Sequence, residues 1–294
     1  VVAVGADIHD LAIGDRVACA GGQYAQHAEY IRVARNLCVL IPGGLDFEVA
    51  STVTLGAIAL QGIRRAQPTL GETFVVLGLG ILGQLAAQML RANGCRVIGT
   101  DTDRSRIEKA LSLGMEHGVY PEDADNDTVA RMTDGHGADG VIITAATPSD
   151  EVVSNAFKMC RRKGRVVLVG DVGLHLKRAD FYAKELDFLI STSYGPGRYD
   201  TRYEEQGLDY PIGYVRWTEN RNMQEYLRLV ADGRVQVAPL ITARYPEAEA
   251  TAAYAAIGGP DKLLMVLLTY PAAAEMPPID IDNERRVTLK AAPR

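Results

Sequence analysis

The sequence predicts an α/β protein with a doubly wound parallel sheet, and three observations lead to this prediction. Apolar runs of strand length alternate with helical stretches between residues 73 and 193. Glycines in the pattern G-x-G-x-x-G separate the first of these strands from the first helix. An acidic residue, Asp101, follows the second strand. Such alternation is typical of a parallel sheet with helices on both faces.

The glycine turn consists of Gly78, Gly80 and Gly83. In a turn of this type the first glycine forms the bend, the second lets the backbone approach a pyrophosphate, and the third lets the helix pack closely. The helix that follows begins with Ile81 and Leu82. The N-terminus of a helix presents unpaired N–H groups and the positive end of the helix dipole, and both attract phosphates. The motif therefore predicts a dinucleotide site.

Asp101 lies 18 residues after Gly83, at the distance from which an acidic side chain reaches the adenosine ribose. Its charge would repel a 2′-phosphate, so we expect NAD in preference to NADP. Arg104 and Arg106 lie close by, and an arginine there can stack on adenine or hold a phosphate. The alternative, a glycine-rich turn in some other α/β protein, leaves Asp101 without a role.

Strands and helices continue to alternate beyond this unit. The predicted strands are Thr73–Leu77, Arg96–Thr100, Gly118–Tyr120, Gly140–Thr144, Arg165–Gly170 and Phe188–Ser193. The predicted helices between them are Ile81–Asn93, Ser105–Leu113, Thr128–Thr133 and Asp150–Arg162. Ligands of such sheets bind beyond the carboxyl ends of the strands. We therefore expect Thr144 and Gly170 to flank the nicotinamide half of the dinucleotide.

The segments before and after this alternating region are predicted to contain shorter and less regular elements. Residues 1–42 carry short apolar runs typical of a small β-barrel or sandwich, at Val1–Gly5, Gly14–Cys19, Gln23–Val33 and Leu37–Leu40. A helix is predicted over residues 46–66 with Asp46 as its N-cap. The later elements are predicted as helix Asn222–Asp232, strand Val235–Ala243, helix Pro246–Ile257 and strand Leu263–Tyr270. Residues 272–294 are rich in Pro, Ala and charge, and we interpret them as a linker in a longer polypeptide.

Composition excludes several function classes. The 294 residues suit about two domains, and 47% of them are hydrophobic. A net charge of −6 without a basic run argues against nucleic-acid binding. No apolar stretch is typical of a membrane span. The four cysteines, Cys19, Cys38, Cys95 and Cys160, show no C-x-x-C spacing, so we expect reduced, buried thiols in a cytoplasmic protein.

The stretch from Tyr194 to Tyr226 is unusual because it contains six of the thirteen tyrosines and the single tryptophan, Trp217. Arginines are interleaved with these rings, an arrangement that can recognise a polar substrate. The same composition suits a loop that packs through its tyrosines or forms a subunit contact, and both interpretations stay open. Tyr194 and Arg198 are the stronger substrate candidates because they directly follow the sixth predicted strand.

Three segments of the chain, Gly14–Val17, Tyr24–Tyr30 and Ile41–Ala50, resemble the medium-chain dehydrogenase/reductase superfamily. The resemblance implies a Rossmann domain combined with part of a GroES-like β domain. It implies four regions: a partial GroES-like catalytic domain at 1–53, the Rossmann domain at 54–194, the C-terminal part of the catalytic domain at 195–270, and a linker at 271–294.

The chain also resembles a narrower group of proteins within this superfamily. The segments that carry this resemblance are GDRVACAG, NLCVLIP, TLGAIALQG and the block from SYGPGRYD to YPIGYVRWTENRNM. These proteins are bi-domain oxidoreductases that join a zinc-poor dehydrogenase half to a Gfo/Idh/MocA-type half. The resemblance implies a covalently linked C-terminal domain and a sugar-like small-molecule substrate. We also expect a homo-oligomer.

Many members of the superfamily bind zinc, but the matching positions here lack its ligands. One cysteine replaces the closely spaced set expected between Val17 and His27. Thr54 stands at the position that the resemblance assigns to a catalytic zinc ligand, and threonine is not a usual one. We therefore expect no bound metal. Thr54, Tyr194 and Arg198 are the candidate catalytic groups in its place.

These observations favour an NAD(H)-dependent, zinc-independent oxidoreductase that moves hydride between nicotinamide and an alcohol or carbonyl substrate. One alternative keeps the fold and delivers hydride to an activated C=C bond, as zinc-free quinone and enoyl reductases do. Another is a non-catalytic half that binds NAD within a larger bi-domain protein.

Overall fold

The computed structural model describes residues 1–123 and 127–271. The predicted linker therefore lies outside the described residues. In the described part, no helix is both long and apolar enough to cross a membrane.

The N-terminal segment contains fewer strands than predicted. Strands β1 (Val17–Cys19) and β2 (Cys38–Leu40) form an antiparallel pair in which Cys19 lies opposite Cys38. The runs predicted at Val1–Gly5 and Gln23–Val33 are not strands. A strand forms only where another strand pairs with its N–H and C=O groups, and the described residues supply no such partner to these runs. A single 3₁₀ turn, Arg35–Leu37, leads into β2.

The helix predicted over residues 46–66 is divided into α1 (Phe47–Ala50) and α2 (Val53–Ala66). The Asp46 side chain caps α1 by accepting a hydrogen bond from the Glu48 N–H, at 2.7 Å. The break follows from the Thr52 hydroxyl, which donates to the Val49 carbonyl and also contacts the Tyr226 hydroxyl. Side-chain hydroxyl groups compete with the helical backbone in this way.

The predicted doubly wound parallel sheet is confirmed. In chain order the strands of this region are β3 Thr73–Leu77, β4 Arg96–Thr100, β5 His117–Val119, β6 Ala138–Ile143, β7 Ala146–Thr147, β8 Cys160–Leu168, β9 Asp171–Val172 and β10 Asp187–Ile190. Six of them form one parallel sheet in the order β10-β8-β6-β3-β4-β5. The order reverses between β3 and β6, and this is the crevice where dinucleotides bind in such sheets. Strands β7 and β9 pair separately beyond the ends of β6 and β8.

The first five helices of this region lie between strands of the sheet in sequence, and the last three follow β10. They are α3 Ile81–Ala92, α4 Arg104–Ser112, α5 Thr128–Met132, α6 Glu151–Met159, α7 Arg178–Phe181, α8 Thr201–Glu204, α9 Glu219–Ala231 and α10 Ala250–Ile257. The prediction that α6 extends to Arg162 is wrong. Cys160 already begins β8, where it pairs with Ala138 of β6.

The C-terminal region closes with two paired strands. Strand β11 (Ala243–Pro246) runs parallel to β12 (Val266–Thr269). The strand predicted over Val235–Ala243 is wrong, because residues 238–240 form a 3₁₀ turn. Pro239 lies in that turn, and a proline cannot donate to a strand ladder.

Helix α2 joins the Rossmann sheet to the later part of the chain. It packs on α3 and on α9. A Cβ added at Gly56 would lie 2.2 Å from the ring of Tyr226, which is fully buried. Only glycine allows α2 and α9 to approach this closely, and α9 carries residues of the candidate site.

Candidate functional site

The three glycines of the turn have different surroundings, as the motif predicts. Gly78 has a φ of +91°, and a Cβ there would lie 2.7 Å from the Ala145 nitrogen. A Cβ at Gly83 would lie 1.9 Å from the Gly78 carbonyl oxygen, so the helix can pack this closely only without a side chain. A Cβ at Gly80 would approach only the Arg106 guanidinium, at 4.0 Å. Space is therefore left at the second glycine.

The N-terminus of α3 faces that space without a side-chain cap. Gly80 occupies the N-cap position, and no side chain accepts a hydrogen bond from the first turn. Ile81 and Leu82 are the first helical residues, and both are partly buried. Free N–H groups and the positive dipole end suit an anionic ligand.

Asp101 holds the turn and lies at its edge. Its Oδ2 accepts a hydrogen bond from the Leu79 N–H at 2.6 Å, and its Oδ1 accepts from the Asp103 N–H at 2.8 Å. The side chain is only 6% exposed. A carboxylate oxygen can accept a second hydrogen bond, so acceptor capacity for ribose hydroxyl groups remains.

Arg106 brings positive charge to the same edge. Its Nη1 lies 3.7 Å from Asp101 Oδ2, and its buried Nε has no hydrogen-bond partner. The guanidinium is also the group nearest to the open side of Gly80. An unpaired donor of this kind can serve a phosphate or a ribose hydroxyl.

Thr144 and Gly170 lie at the ends of β6 and β8 and connect them to the turn. The Thr144 hydroxyl donates to the Gly78 carbonyl at 2.5 Å. A Cβ at Gly170 would lie 2.0 Å from the Ala145 carbonyl oxygen. Both residues therefore maintain the close approach of three strand ends at the crevice.

A second polar cluster follows β10 and contains both Tyr194 and Arg198. Arg198 Nη1 donates to Glu204 Oε1 at 2.7 Å, and its guanidinium lies 5.6 Å from the centre of the Tyr194 ring. Behind them lies Glu219, the first residue of α9, which is 0% exposed. The Tyr194 hydroxyl and both carboxylate oxygens of Glu219 are buried without a hydrogen-bond partner.

Burial dominates the electrostatics of this cluster. It raises the pKa of Glu219 to about 8, and the charge of Glu204 raises it further against the opposing effect of Arg198. Burial also raises the pKa of Tyr194 well above its usual range, with the negative charge of Glu219 as the next cause. At neutral pH the Glu219 carboxyl is therefore mostly protonated, and it ionises as the pH rises through about 8.

The cluster reaches the N-terminal segment, but Thr54 is not part of it. A Cβ at Gly22, just after β1, would lie 3.9 Å from Arg198 Nη2. Thr54 is partly buried in α2, and its side chain forms no hydrogen bond with the described residues. The structure thus brings Tyr194 and Arg198 together and leaves Thr54 apart from their hydrogen bonds.

Sequence reasoning missed Glu219 and also Asn222, which holds the loop after β10. The Asn222 amide donates to the Tyr194 carbonyl at 3.0 Å and to Gln61 Oε1 at 3.2 Å. Thr218 caps α9, and a glutamate after such a cap is typical of an ordinary helix start. No signal in the sequence distinguishes a buried glutamate from an exposed one there.

In the remainder of the tyrosine-rich stretch some rings are buried, whereas Tyr199 and Tyr214 are 70% and 91% exposed. Tyr203 and Tyr226 are buried. Trp217 lies between the guanidinium groups of Arg64 and Arg216, at 3.3 and 3.8 Å from its ring centre. Cavities of about 420 and 510 Å³ are both lined by Trp217, and neither includes a residue of the glycine turn. The glycine turn and the polar cluster of Tyr194, Arg198, Glu204 and Glu219, called the β10 cluster below, instead carry the chemistry of a ligand site.

Metal ligands are sparse in the part of the chain that the structure describes. Residues 1–123 and 127–271 contain no group of three or more His, Cys, Asp or Glu side chains that could hold a metal ion. Cys19 and Cys38 bring two sulfur atoms within 3.5 Å but have no third ligand. The described residues therefore do not fit a zinc centre, and we derive no step through one.

Comparisons with known proteins agree with this geometry. A family model described as "Zinc-binding dehydrogenase" matches residues 82–206. Sorbitol dehydrogenase of Bacillus subtilis is 25% identical over 199 residues, covering 58% of this chain and 56% of that protein. The NDMA-dependent alcohol dehydrogenase of Amycolatopsis methanolica is 31% identical over 244 residues, covering 80% of this chain and 59% of that protein.

Solved structures share the fold. The 2R,3R-butanediol dehydrogenase of Bacillus subtilis superimposes with a TM-score of 0.71 at 21% identity, covering 91% of this chain and 78% of that one. The chain spans about half the length of the first curated relatives that it matches. These comparisons show that the chain is similar in sequence to zinc-type alcohol and polyol dehydrogenases, and that it shares the fold of a butanediol dehydrogenase.

Proposed function

We propose that this chain is the nucleotide-binding part of an NAD(H)-dependent oxidoreductase that interconverts an alcohol and a carbonyl compound. The observation that carries the proposal is the open space at Gly80, which faces the uncapped N-terminus of α3. Gly78 and Gly83 leave no room for side chains, whereas Gly80 leaves room for a ligand. A glycine turn with a merely structural role would not need that difference.

The cofactor, when bound, supplies the carbon that accepts or donates hydride. Our assignment gives the pyrophosphate to the backbone N–H groups near Ile81 and Leu82. It gives the adenosine ribose to Asp101, and the adjoining phosphate or adenine to Arg106. A carboxylate at the ribose disfavours a 2′-phosphate, so we propose NAD rather than NADP.

On the substrate side we propose Tyr194 and Arg198 as the groups that touch the reacting oxygen. When an alcohol is oxidised, its O–H proton must leave as the hydride leaves carbon. The Tyr194 hydroxyl can exchange a proton with that oxygen, and Glu219 can receive this proton only when it is ionised, above its pKa of about 8. Arg198 can polarise a carbonyl oxygen in the opposite direction. Thr54 remains a third candidate, and the scheme requires no zinc.

The substrate class is proposed from the relatives. Sorbitol dehydrogenase and butanediol dehydrogenase are named for polyols, so a hydroxyl-rich, sugar-like alcohol is the first class to test. The hydrogen-bonding groups of the β10 cluster suit such a ligand. For the whole protein we propose a cytoplasmic homo-oligomer with a covalently linked C-terminal domain. Light scattering of the full-length protein would test the assembly state.

Calorimetric titration with NADH and NADPH tests the cofactor assignment. We expect tighter binding of NADH. Asp101→Ala should reduce that preference by about 10- to 100-fold, the value of one hydrogen bond to a charged group. Because Asp101 also holds the Leu79 N–H, Asp101→Asn is the matched control that keeps an acceptor. Equal binding of the two nucleotides, or an unchanged preference in Asp101→Ala, would refute the assignment.

A substrate screen separates the reaction classes. Polyols with NAD and the corresponding ketoses with NADH should show turnover that Tyr194→Phe lowers. Turnover of enones alone would favour hydride delivery to an activated C=C bond. Nucleotide binding without turnover of either class would favour the non-catalytic alternative.

A further inference from the structure

Two cysteines face each other across the N-terminal strand pair. Cys19 Sγ and Cys38 Sγ lie 3.5 Å apart, and neither is in a disulfide. The two residues are direct partners in the register of β1 and β2. None of the groups proposed for dinucleotide or substrate binding involves these thiols.

The backbone at this position already suits a covalent link. The Ala20 N–H donates to the Leu37 carbonyl at 2.9 Å, so ladder hydrogen bonds flank the Cys19–Cys38 pair and do not join its two members. Opposed Cα atoms at such sites are about 4.5 Å apart. This lies within the range of about 4.4–6.8 Å that disulfides span. The sulfur atoms need to approach by only about 1.5 Å, which side-chain rotation can supply.

The surroundings favour one of the two thiols as the nucleophile. The hydrogen bond from Cys19 lowers the pKa of Cys38, and the positive charge of Arg35 lowers it further, against the effect of burial. The same hydrogen bond and burial raise the pKa of Cys19. Burial raises the pKa of the other two cysteines, Cys95 and Cys160, and the thiolate is the reactive form. Cys38 is therefore the thiol most readily ionised.

Access limits the class of oxidant. Cys38 is 7% exposed and Cys19 is partly exposed. A small uncharged peroxide can reach such a sulfur, whereas a bulky disulfide such as oxidised glutathione meets more obstruction. The site therefore selects for a peroxide.

We propose that Cys19 and Cys38 form a peroxide-reactive dithiol that closes to a disulfide between β1 and β2. The Cys38 thiolate attacks one peroxide oxygen, the O–O bond breaks, and Cys38 sulfenic acid and hydroxide form. The Cys19 thiol then loses its proton to this hydroxide. Its thiolate attacks the Cys38 sulfur, and hydroxide leaves from that sulfur and is protonated to water. The two sulfur atoms are oxidised, and one hydrogen peroxide is reduced to two waters.

The link would restrain a segment close to the substrate side of the molecule. Strand β1 continues through Ala20 to Gly21 and Gly22, and a Cβ at Gly22 would lie 3.9 Å from Arg198. Gly21 itself packs tightly on Leu37, one residue before Cys38. Oxidation of the pair would therefore act on the loop that meets the β10 cluster.

The test is treatment of the reduced full chain with hydrogen peroxide, removal of the peroxide, alkylation with N-ethylmaleimide in denaturant and peptide mass spectrometry. We expect two of the four thiols to be lost and a Cys19–Cys38 crosslinked peptide that is two hydrogens lighter. Cys95 and Cys160 serve as internal controls and should remain alkylated. Equal alkylation of all four thiols, or sulfinic acid without a crosslink, would overturn the proposal.

Two variants test the roles of the thiols and do not depend on oxidoreductase activity. Cys19→Ser should stop the reaction at Cys38 sulfenic acid, which dimedone traps. Cys38→Ser should leave Cys19 unreactive towards the same dose of peroxide. A dimedone adduct on Cys19 in the Cys38→Ser variant, at the rate seen for Cys38, would contradict the assignment of the nucleophile.

Discussion

Glu219 gives the sharpest stability prediction, because its side chain is fully buried and its oxygens have no partner. Its pKa rises from 4.5 to about 8 on folding. Between these values the carboxyl is protonated in the folded chain and ionised in the unfolded chain. Unfolding therefore releases a proton in this window, and the wild-type chain loses stability as pH rises through it.

Glu219→Gln should remove this loss, because the amide is neutral at every pH and has nearly the same shape. Conversion of the full pKa difference at 1.36 kcal/mol per pH unit corresponds to about 5 kcal/mol. Relaxation of the surroundings around the charge lowers this value, so we expect the variant to be more stable than wild type by about 2–5 kcal/mol above pH 8. Near pH 5 the two chains should be about equally stable.

Urea unfolding of both chains from about pH 5 to about pH 9 measures the effect, since other titrating groups cancel in the difference. Glu151 is the matched control, because it also begins a helix, α6, but is exposed. Glu151→Gln should change stability by less than about 1 kcal/mol, with little dependence on pH. If the difference between wild type and Glu219→Gln does not widen with pH, or favours wild type, then the carboxylate is ionised and paired, and our reasoning is wrong.

Three further predictions concern close contacts and unpaired groups. In urea unfolding, Gly83→Ala should destabilise the fold by more than about 2 kcal/mol, whereas Gly80→Ala should leave stability unchanged. In calorimetric titration, Gly80→Ala should weaken NADH binding. Gly56→Ala should lower the urea midpoint, because its methyl group would overlap the buried Tyr226 ring. Tyr194→Phe should be neutral or stabilising by up to about 1 kcal/mol, because it removes a buried hydroxyl without a partner, while turnover falls.

Each of these predictions has a distinct contrary outcome. Equal loss of stability in Gly80→Ala and Gly83→Ala would mean that the turn has no open side. An unchanged midpoint in Gly56→Ala would mean that α2 and α9 can separate at little cost. A clear loss of stability in Tyr194→Phe would reveal a hydrogen bond to that hydroxyl.

The sheet could be predicted because its inner strands are buried on both faces. Every residue of β3 is buried, and a continuous apolar run of that length is readable without knowledge of its neighbours. The glycine pattern was equally informative, because Gly78 and Gly83 each answer a local steric need. The bounds predicted for Thr73–Leu77 and Arg96–Thr100 are accordingly the observed ones.

Other elements depend on distant partners and could not be predicted in this way. Cys160 leaves its helix because Ala138 pairs with it. The runs at Val1–Gly5 and Gln23–Val33 have strand composition but no strand beside them in the described residues. Glu219 became a site candidate only through the loop after β10, since burial at a helix start is decided by what packs on it.

Asn222 links three parts of the molecule through one buried amide. It donates to the Tyr194 carbonyl and to Gln61 in α2, and it accepts from Arg64, whose guanidinium stacks on Trp217. Residues that share a hydrogen-bond partner do not change the free energy additively when they are substituted. The effects of single substitutions at these positions would therefore not predict the effects of their combinations. Directed evolution around Tyr194 should therefore vary Gln61, Arg64 and Asn222 jointly.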